Sequence, residues 1–130
     1  MDYSLSQDQL SSIEEILQKG LMELGVHSVV LIDMAGNIVA NLDDGNVDYD
    51  IYSLAALAAG NFGAVSAIAQ MIGEEEFSLL FHKGENESIH FSKVLADFLL
   101  ITIFGHETSL GFLRLKVAES IEMIEKILDS

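Results

Sequence analysis

Ile51-Tyr52-Ser53-Leu54-Ala55-Ala56-Leu57-Ala58-Ala59-Gly60-Asn61-Phe62-Gly63-Ala64-Val65-Ser66-Ala67-Ile68-Ala69-Gln70-Met71-Ile72 decides how this chain must be assembled. Its periodicity predicts a helix over 51–72, capped by Asp48 or Asp50. One face carries Leu54, Leu57, Val65, Ile68 and Ile72, read as the stripe that meets the core. A second face carries only small residues, Ala56, Gly60, Gly63 and Ala67, and between the two run Ala55, Phe62, Ser66 and Ala69. No residue of the segment is charged, and a helix apolar nearly all round is buried on more than one side. Gly60 and Gly63 each cost about 1 kcal/mol against alanine in a helix interior. Packing on the chain's own sheet could explain one face but not both, so the small face is read as a helix–helix contact across a dimer axis.

The flanking segments supply the sheet. Ser28-Val29-Val30-Leu31-Ile32-Asp33 is a β-branched run typical of a strand buried on both faces. The turn Met34-Ala35-Gly36-Asn37 returns it into Ile38-Val39-Ala40-Asn41-Leu42, a hairpin. Asp33, at the end of its strand, is explained by turn chemistry. After Gly73-Glu74-Glu75-Glu76, Phe77, Leu79 and Phe81 alternate with Ser78, Leu80 and His82, and Lys83-Gly84-Glu85-Asn86 turns the chain into Ser88 to Ser92. Phe98 to Phe104 is a nearly continuous apolar run and reads as a central strand.

Helices open and close the chain. Ser6 with Gln9 forms a capping box, Leu5 and Leu10 a hydrophobic staple, and Gly25 a stop, so a helix is expected from about 6 to 24. A last helix begins near Thr108 or Ser109, with Leu110, Leu113, Val117, Ile121, Ile124 and Leu128 as its stripe. The order α-β-β-α-β-β-β-α implies an α+β fold, a five-stranded antiparallel sheet with helices on both faces. A length of 130 residues fits one domain, 1–130.

Composition narrows the partners. Half the residues are apolar and the mean hydropathy is +0.37, high for a chain too small to hide much of that surface alone. With 21 acidic against 6 basic residues the net charge is −15, which disfavours nucleic acid and anionic membranes. A basic protein surface would suit it better, although acidity also serves simply to keep an apolar chain in solution. Apolar runs are expected to be broken by Gly, Asp or Glu before they reach membrane-spanning length. Met1-Asp2-Tyr3-Ser4 lacks the basic and apolar regions of a signal peptide, so a cytoplasmic protein is expected, and the sequon Asn86-Glu87-Ser88 is chance.

Chemistry is tested and mostly absent. There is no cysteine, no GxxxxGK[ST] loop, no GxSxG elbow and no HExxH. Neither a cofactor nor a metal is expected, and no residue is nominated as catalytic. His82 and His90 would share a sheet face if Phe81 and Phe91 share the opposite one, but two histidines fall short of a good metal site. Glu74-Glu75-Glu76 reads as a solvated helix end, and the single arginine, Arg114, as a residue solvating the outer face of the last helix rather than an arginine finger. Asn61 is the one polar residue near the core stripe. A ligand sensor would need more convergent polar groups than that.

Taken together, several stretches resemble the Roadblock/dynein light chain family in its bacterial MglB-like branch. They are Val30-Leu31-Ile32-Asp33 with Gly36-Asn37, and Leu57-Ala58-Ala59-Gly60-Asn61 followed by Ala67-Ile68-Ala69 and Ile72-Gly73-Glu74. Phe77-Ser78-Leu79-Leu80-Phe81-His82-Lys83-Gly84 and Thr108-Ser109-Leu110-Gly111 complete the set. The resemblance implies a homodimer whose central helices lie side by side, through Ala56, Gly60, Gly63 and Ala67. It implies too that the two sheets join along Phe77, Leu79 and Phe81. A small Ras-like (MglA-like) GTPase would then sit over the paired helices, with Ala55, Ala59, Phe62 and Ser66 as contacts. The alternative is a light-chain-like scaffold that touches no GTPase.

Overall fold

The computed structural model describes residues 4–77 and 80–129. The elements run α1 (Gln7–Gly20), a single 3-10 turn (Met22–Leu24), β1 (Ser28–Asp33), β2 (Ile38–Asp43), α2 (Ile51–Met71), β3 (Leu80–Lys83), β4 (Ser88–Val94), β5 (Phe98–Phe104) and α3 (Leu110–Leu128). This is the α-β-β-α-β-β-β-α order. The strands form one antiparallel sheet in the order β2-β1-β5-β4-β3. The two apolar runs, β1 and β5, therefore lie inside it, as strands that must be covered on both faces should.

Side-chain alternation along β1 sorts the core into two layers. Val29 and Leu31 join Ile13, Leu17, Leu100, Leu113, Val117 and Ile124, so α1 and α3 cover one face. Val30 and Ile32 join Leu99, Ile101, Phe91 and the α2 residues Ala55, Ala58 and Phe62 on the other. The α1 capping box forms as the sequence predicts: the Gln9 amide donates to Ser6 Oγ at 3.1 Å and the Ser6 amide to Gln9 Oε1 at 2.9 Å. The α-helix itself ends at Gly20, and the expected stretch to residue 24 is completed by the 3-10 turn, closed by Gly25 at φ +94°.

Two contacts fix the ends of the layers. Asp33 accepts bonds from the amides of Ala35 and Asn37 and from Asn37 Nδ2, at 3.0, 2.8 and 2.9 Å. Partial burial works against its charge, but these bonds together hold the carboxyl below its usual range. The same turn brings Gly36, at φ +90°, against α2. A Cβ there would lie 3.2 Å from Ala56 Cα, so the turn touches the helix backbone to backbone. At the opposite end Leu95 adopts φ +53° in the β4–β5 turn, and its amide donates to a Glu125 carboxylate oxygen at 2.9 Å, tying the turn to α3.

Three expectations need correction. β3 begins at Leu80, so Phe77 precedes the strand, while Ser78 and Leu79 lie outside the described residues. The β3–β4 register pairs Phe81 with His90 and His82 with Ile89. Directly opposed residues share a face, so Phe81 and Phe91 lie on opposite faces, and so do His82 and His90. Phe81 stacks on Phe104 at 5.9 Å in the α1/α3 layer, whereas His82 meets the Phe91 ring edge-on on the α2 side. Finally, α2 has both the length and the hydropathy of a membrane span, because its glycines break the run without adding charge. In this fold its sheet-facing residues are packed instead.

Candidate functional site

Asp50 starts α2 by accepting from the Tyr52 amide at 3.1 Å and from Ser53 Oγ at 2.8 Å. From there the helix lays Ala55, Ala58 and Phe62 on the sheet, and with Ala69, also buried, they make a stripe at helical spacing built mostly of alanine. Small residues let the helix axis come close to the sheet, and the backbone contact at Gly36 holds it there. Of the larger residues expected in the core stripe, Leu54 packs against this layer and Val65 is half-buried, but the other three are turned outward. Leu57 is 73% exposed, Ile68 52% and Ile72 66%, and Met71 beside them is 85% exposed. On a helix that is apolar all round, side-chain size does not identify the buried face. The spacing of Ala55, Ala58, Phe62 and Ala69 carries that signal, and a reading by bulk obscures it.

The small face behaves differently. Ala56, Gly60, Gly63 and Ala67 are all exposed, as is Asn61 between them. A Cβ built on Gly60 or Gly63 would meet nothing within 4 Å. Packing inside this protomer therefore supplies no reason for either glycine. Of the four residues nominated as partner contacts, Ala55 is fully buried and Phe62 is 8% exposed, both against the sheet. Their side chains belong to the protomer's own core. Ala59 and Ser66 are half-buried on the flanks of the helix.

β3 is an edge strand, bonded to β4 on one side only. What it leaves open is backbone, since the Phe81 side chain is spent on Phe104. Phe77, just ahead of the strand, is partly exposed. Phe77 and Phe62 border a cleft of about 370 Å³ that runs past His90, Ser92 and Lys93 to Arg114 and Glu122. His90 is 4% exposed. Burial, helped by the Arg114 charge, lowers its pKa to about 4, so it is neutral at pH 7. Arg114 is exposed on α3, as expected for a solvating residue. Lys93 pairs with Glu76 at 3.1 Å across the mouth of the cleft.

Ser92 Oγ lies 3.3 Å from His90 Nδ1 in this cleft, but an imidazole whose pKa is held at about 4 is a weak base for drawing a proton from a hydroxyl. Among the described residues no three His, Asp or Glu side chains are grouped to hold a metal ion. The surface offers apolar contact, glycine-lined backbone and an open strand edge, which is the chemistry of protein association.

A profile of the Roadblock/LC7 domain matches residues 12–104. No curated protein sequence matches the chain. Among solved structures, Myxococcus xanthus MglB is 29% identical, with a TM-score of 0.87 over 96% of this chain and 93% of that one. The gliding protein MglB of Thermus thermophilus is 26% identical, with a TM-score of 0.86 over 99% and 98%. An MglB described as having a tetrameric arrangement is also 26% identical, with a TM-score of 0.87 over 99% and 98%. The chain belongs to the Roadblock/LC7 domain family, in its MglB-like branch.

Proposed function

We propose that this protein is a homodimeric, non-enzymatic platform that binds a small Ras-like GTPase and modulates its nucleotide state. Membership of the Roadblock/LC7 family, with MglB proteins among its structural neighbours, supports the broader role of regulator or scaffold. The observation that carries the narrower reading is the outer face of α2. It is uncharged, apolar and exposed, and its two glycines open onto empty space where a second backbone could approach. Ala56, Gly60, Gly63 and Ala67 would form that contact, and the open edge of β3 would continue the sheet into a second copy. The tetrameric arrangement described for one MglB supports self-association in proteins of this branch.

On this reading the GTPase lies across the paired α2 helices and meets Ala59, Ser66 and the protruding Leu57, Ile68 and Met71. Arg114 projects from α3, on the opposite face of the sheet from α2, so no arginine finger is offered there. Any effect on hydrolysis would come from repositioning the partner's own residues. A light-chain-like scaffold is the alternative, and it shares every one of these surface features.

Size-exclusion chromatography with light scattering tests both layers of the proposal. The chain alone should run as a dimer. Mixed with a Ras-like GTPase loaded with a GTP analogue, it should shift to a larger complex, and with the GDP form it should shift less. A dimer indifferent to both forms leaves the scaffold, and a monomer removes the account of the α2 face.

A further inference from the structure

His27 sits between the stop at Gly25 and the start of β1, with its backbone pinned on both sides. Its amide donates to the Ile103 carbonyl at 2.8 Å, and its carbonyl accepts from the Asp44 amide at 3.1 Å. The ring is thereby fixed between two loops. Nδ1 lies 2.8 Å from Glu87 Oε2, in the β3–β4 turn, and Nε2 lies 2.7 Å from Glu107 Oε1, in the β5–α3 loop. A neutral imidazole has one N–H to donate and presents a lone pair from its other nitrogen. Facing two carboxylates, it can satisfy only one of them. The doubly protonated ring satisfies both, so the geometry is that of a cation held between two anions.

The surroundings are shaped for this contact. A Cβ on Gly105 would stand 2.6 Å from Glu107 Oε2 and 2.9 Å from His27 Cε1, so the clasp occupies the space a side chain would take. The Gly84 amide donates to the Glu87 carbonyl at 2.9 Å, setting the turn that presents Glu87. The neighbouring charged and titratable groups are Asp44, Asp48 and Tyr49 from the β2–α2 loop, His82 and Lys83 from β3, and His106 beside Glu107. His27, Glu87, Asp44, Tyr49 and Lys83 also line a largely apolar cleft of about 790 Å³, floored by Leu54, Ile89 and Ile103.

We infer that His27, Glu87 and Glu107 form a proton-operated clasp that ties the tip of the β3–β4 hairpin to the β5–α3 loop. When His27 is charged, the hairpin and the wall of the cleft are held. When it is neutral, one carboxylate faces a lone pair and the hairpin tip is released. The hydrogen bond that Glu87 accepts from the ring raises the His27 pKa, partial burial opposes it, and Glu107 adds to the rise. A raised value in the folded state means that the clasp is fully present below the ordinary histidine pKa and is lost as pH climbs through the raised one. The clasp does not depend on which partner the α2 face accepts.

Imidazole nitrogen NMR and amide hydrogen exchange test this on the intact chain. His27 should carry protons on both nitrogens at pH 6 and titrate above free histidine. Exchange protection at Gly84 to Ser88 should fall several-fold as pH rises through that midpoint, while Leu100 and Ile101 in β5 keep theirs. In His27→Gln the hairpin tip should be poorly protected at every pH. In Glu107→Gln, whose amide can donate to Nε2 while the Nδ1 proton serves Glu87, the tip should instead stay protected and lose its pH dependence. A His27 midpoint at or below that of free histidine in the wild-type chain overturns the proposal. Equal pH dependence of hairpin protection in wild type and His27→Gln overturns it as well.

Discussion

Against one face of the sheet lie α1 and α3, whose Ile13, Leu17, Leu113, Val117 and Ile124 are buried with Leu31 and Leu100. Against the other lies α2 alone, giving Ala55, Ala58 and a single large fully packed residue, Phe62, with Ile51 and Leu54 half-buried beside them. The first layer is closed. Its two helices also close on each other, since a Cβ on Gly20 would stand 2.5 Å from Ser120 Oγ. The second layer is half of a layer, with Leu57, Ile68, Met71 and Ile72 turned to solvent and Gly60 and Gly63 facing empty space. Glycine serves close packing inside the protomer at Gly20. The same device stands without a neighbour on α2. One helix pair is finished by the chain itself, and the other needs something more.

Substitutions should separate the two layers, and the largest effect belongs to the closed one. Leu17→Ala, at a fully buried site, should lose about 2–5 kcal/mol in chemical denaturation. Next comes acid. His90 is held neutral with a pKa of about 4, so between the ordinary histidine value and pH 4 the unfolded chain takes up a proton that the folded chain refuses. Stability should fall through that window by on the order of 3 kcal/mol. His90→Gln should flatten the fall in denaturation curves taken at stepped pH. On the open layer, Gly60→Ala should raise the unfolding free energy of the dissociated chain by up to about 1 kcal/mol, since the added methyl meets nothing and favours the helix. Gly63→Leu should leave that stability within about 0.5 kcal/mol. If copies pair through this face as proposed, light scattering should nevertheless report a monomer. A Gly63→Leu chain that still pairs would break the comparison, because the small face would then not be where copies meet.

How much of this is legible in the sequence varies with the kind of signal. β1 and β5 are readable to their ends because continuous β-branched and aromatic runs leave few other homes for them. The α1 capping box is readable because both of its partners are local in sequence. The facing of α2 is not, since every side of the helix is apolar and bulk misleads where spacing would serve. The β3–β4 register is not readable either, because alternation fixes which residues share a face within a strand and says nothing about the offset between strands. Alternation alone puts His82 and His90 on one face for that reason, and they lie on opposite ones. His27, Glu87 and Glu107 leave no pattern in the sequence at all. Glu87 and Glu107 stand 60 and 80 positions beyond His27, and only the antiparallel topology brings their loops to one end of the sheet. What the α2 surface is for is legible chiefly through resemblance, because an exposed apolar helix states that it wants a neighbour without saying which.

The contact between Gly36 and α2 has a mechanical consequence. Side-chain contacts yield, because rotamers can shift and restore. A turn resting backbone to backbone on Ala56 has no such compliance. Ala56 lies near the start of α2, and Met71 lies about 22 Å further along the helix at 1.5 Å per residue. The helix is thus seated hard near its start and held by yielding side-chain contacts at Ala58 and Phe62 further on, while Met71, beyond the buried Ala69, stays exposed. Among these seats the one at Gly36 cannot give, so a load that a bound protein applied to the outer face of α2 would be passed through it to the β1–β2 hairpin, at the far edge of the sheet.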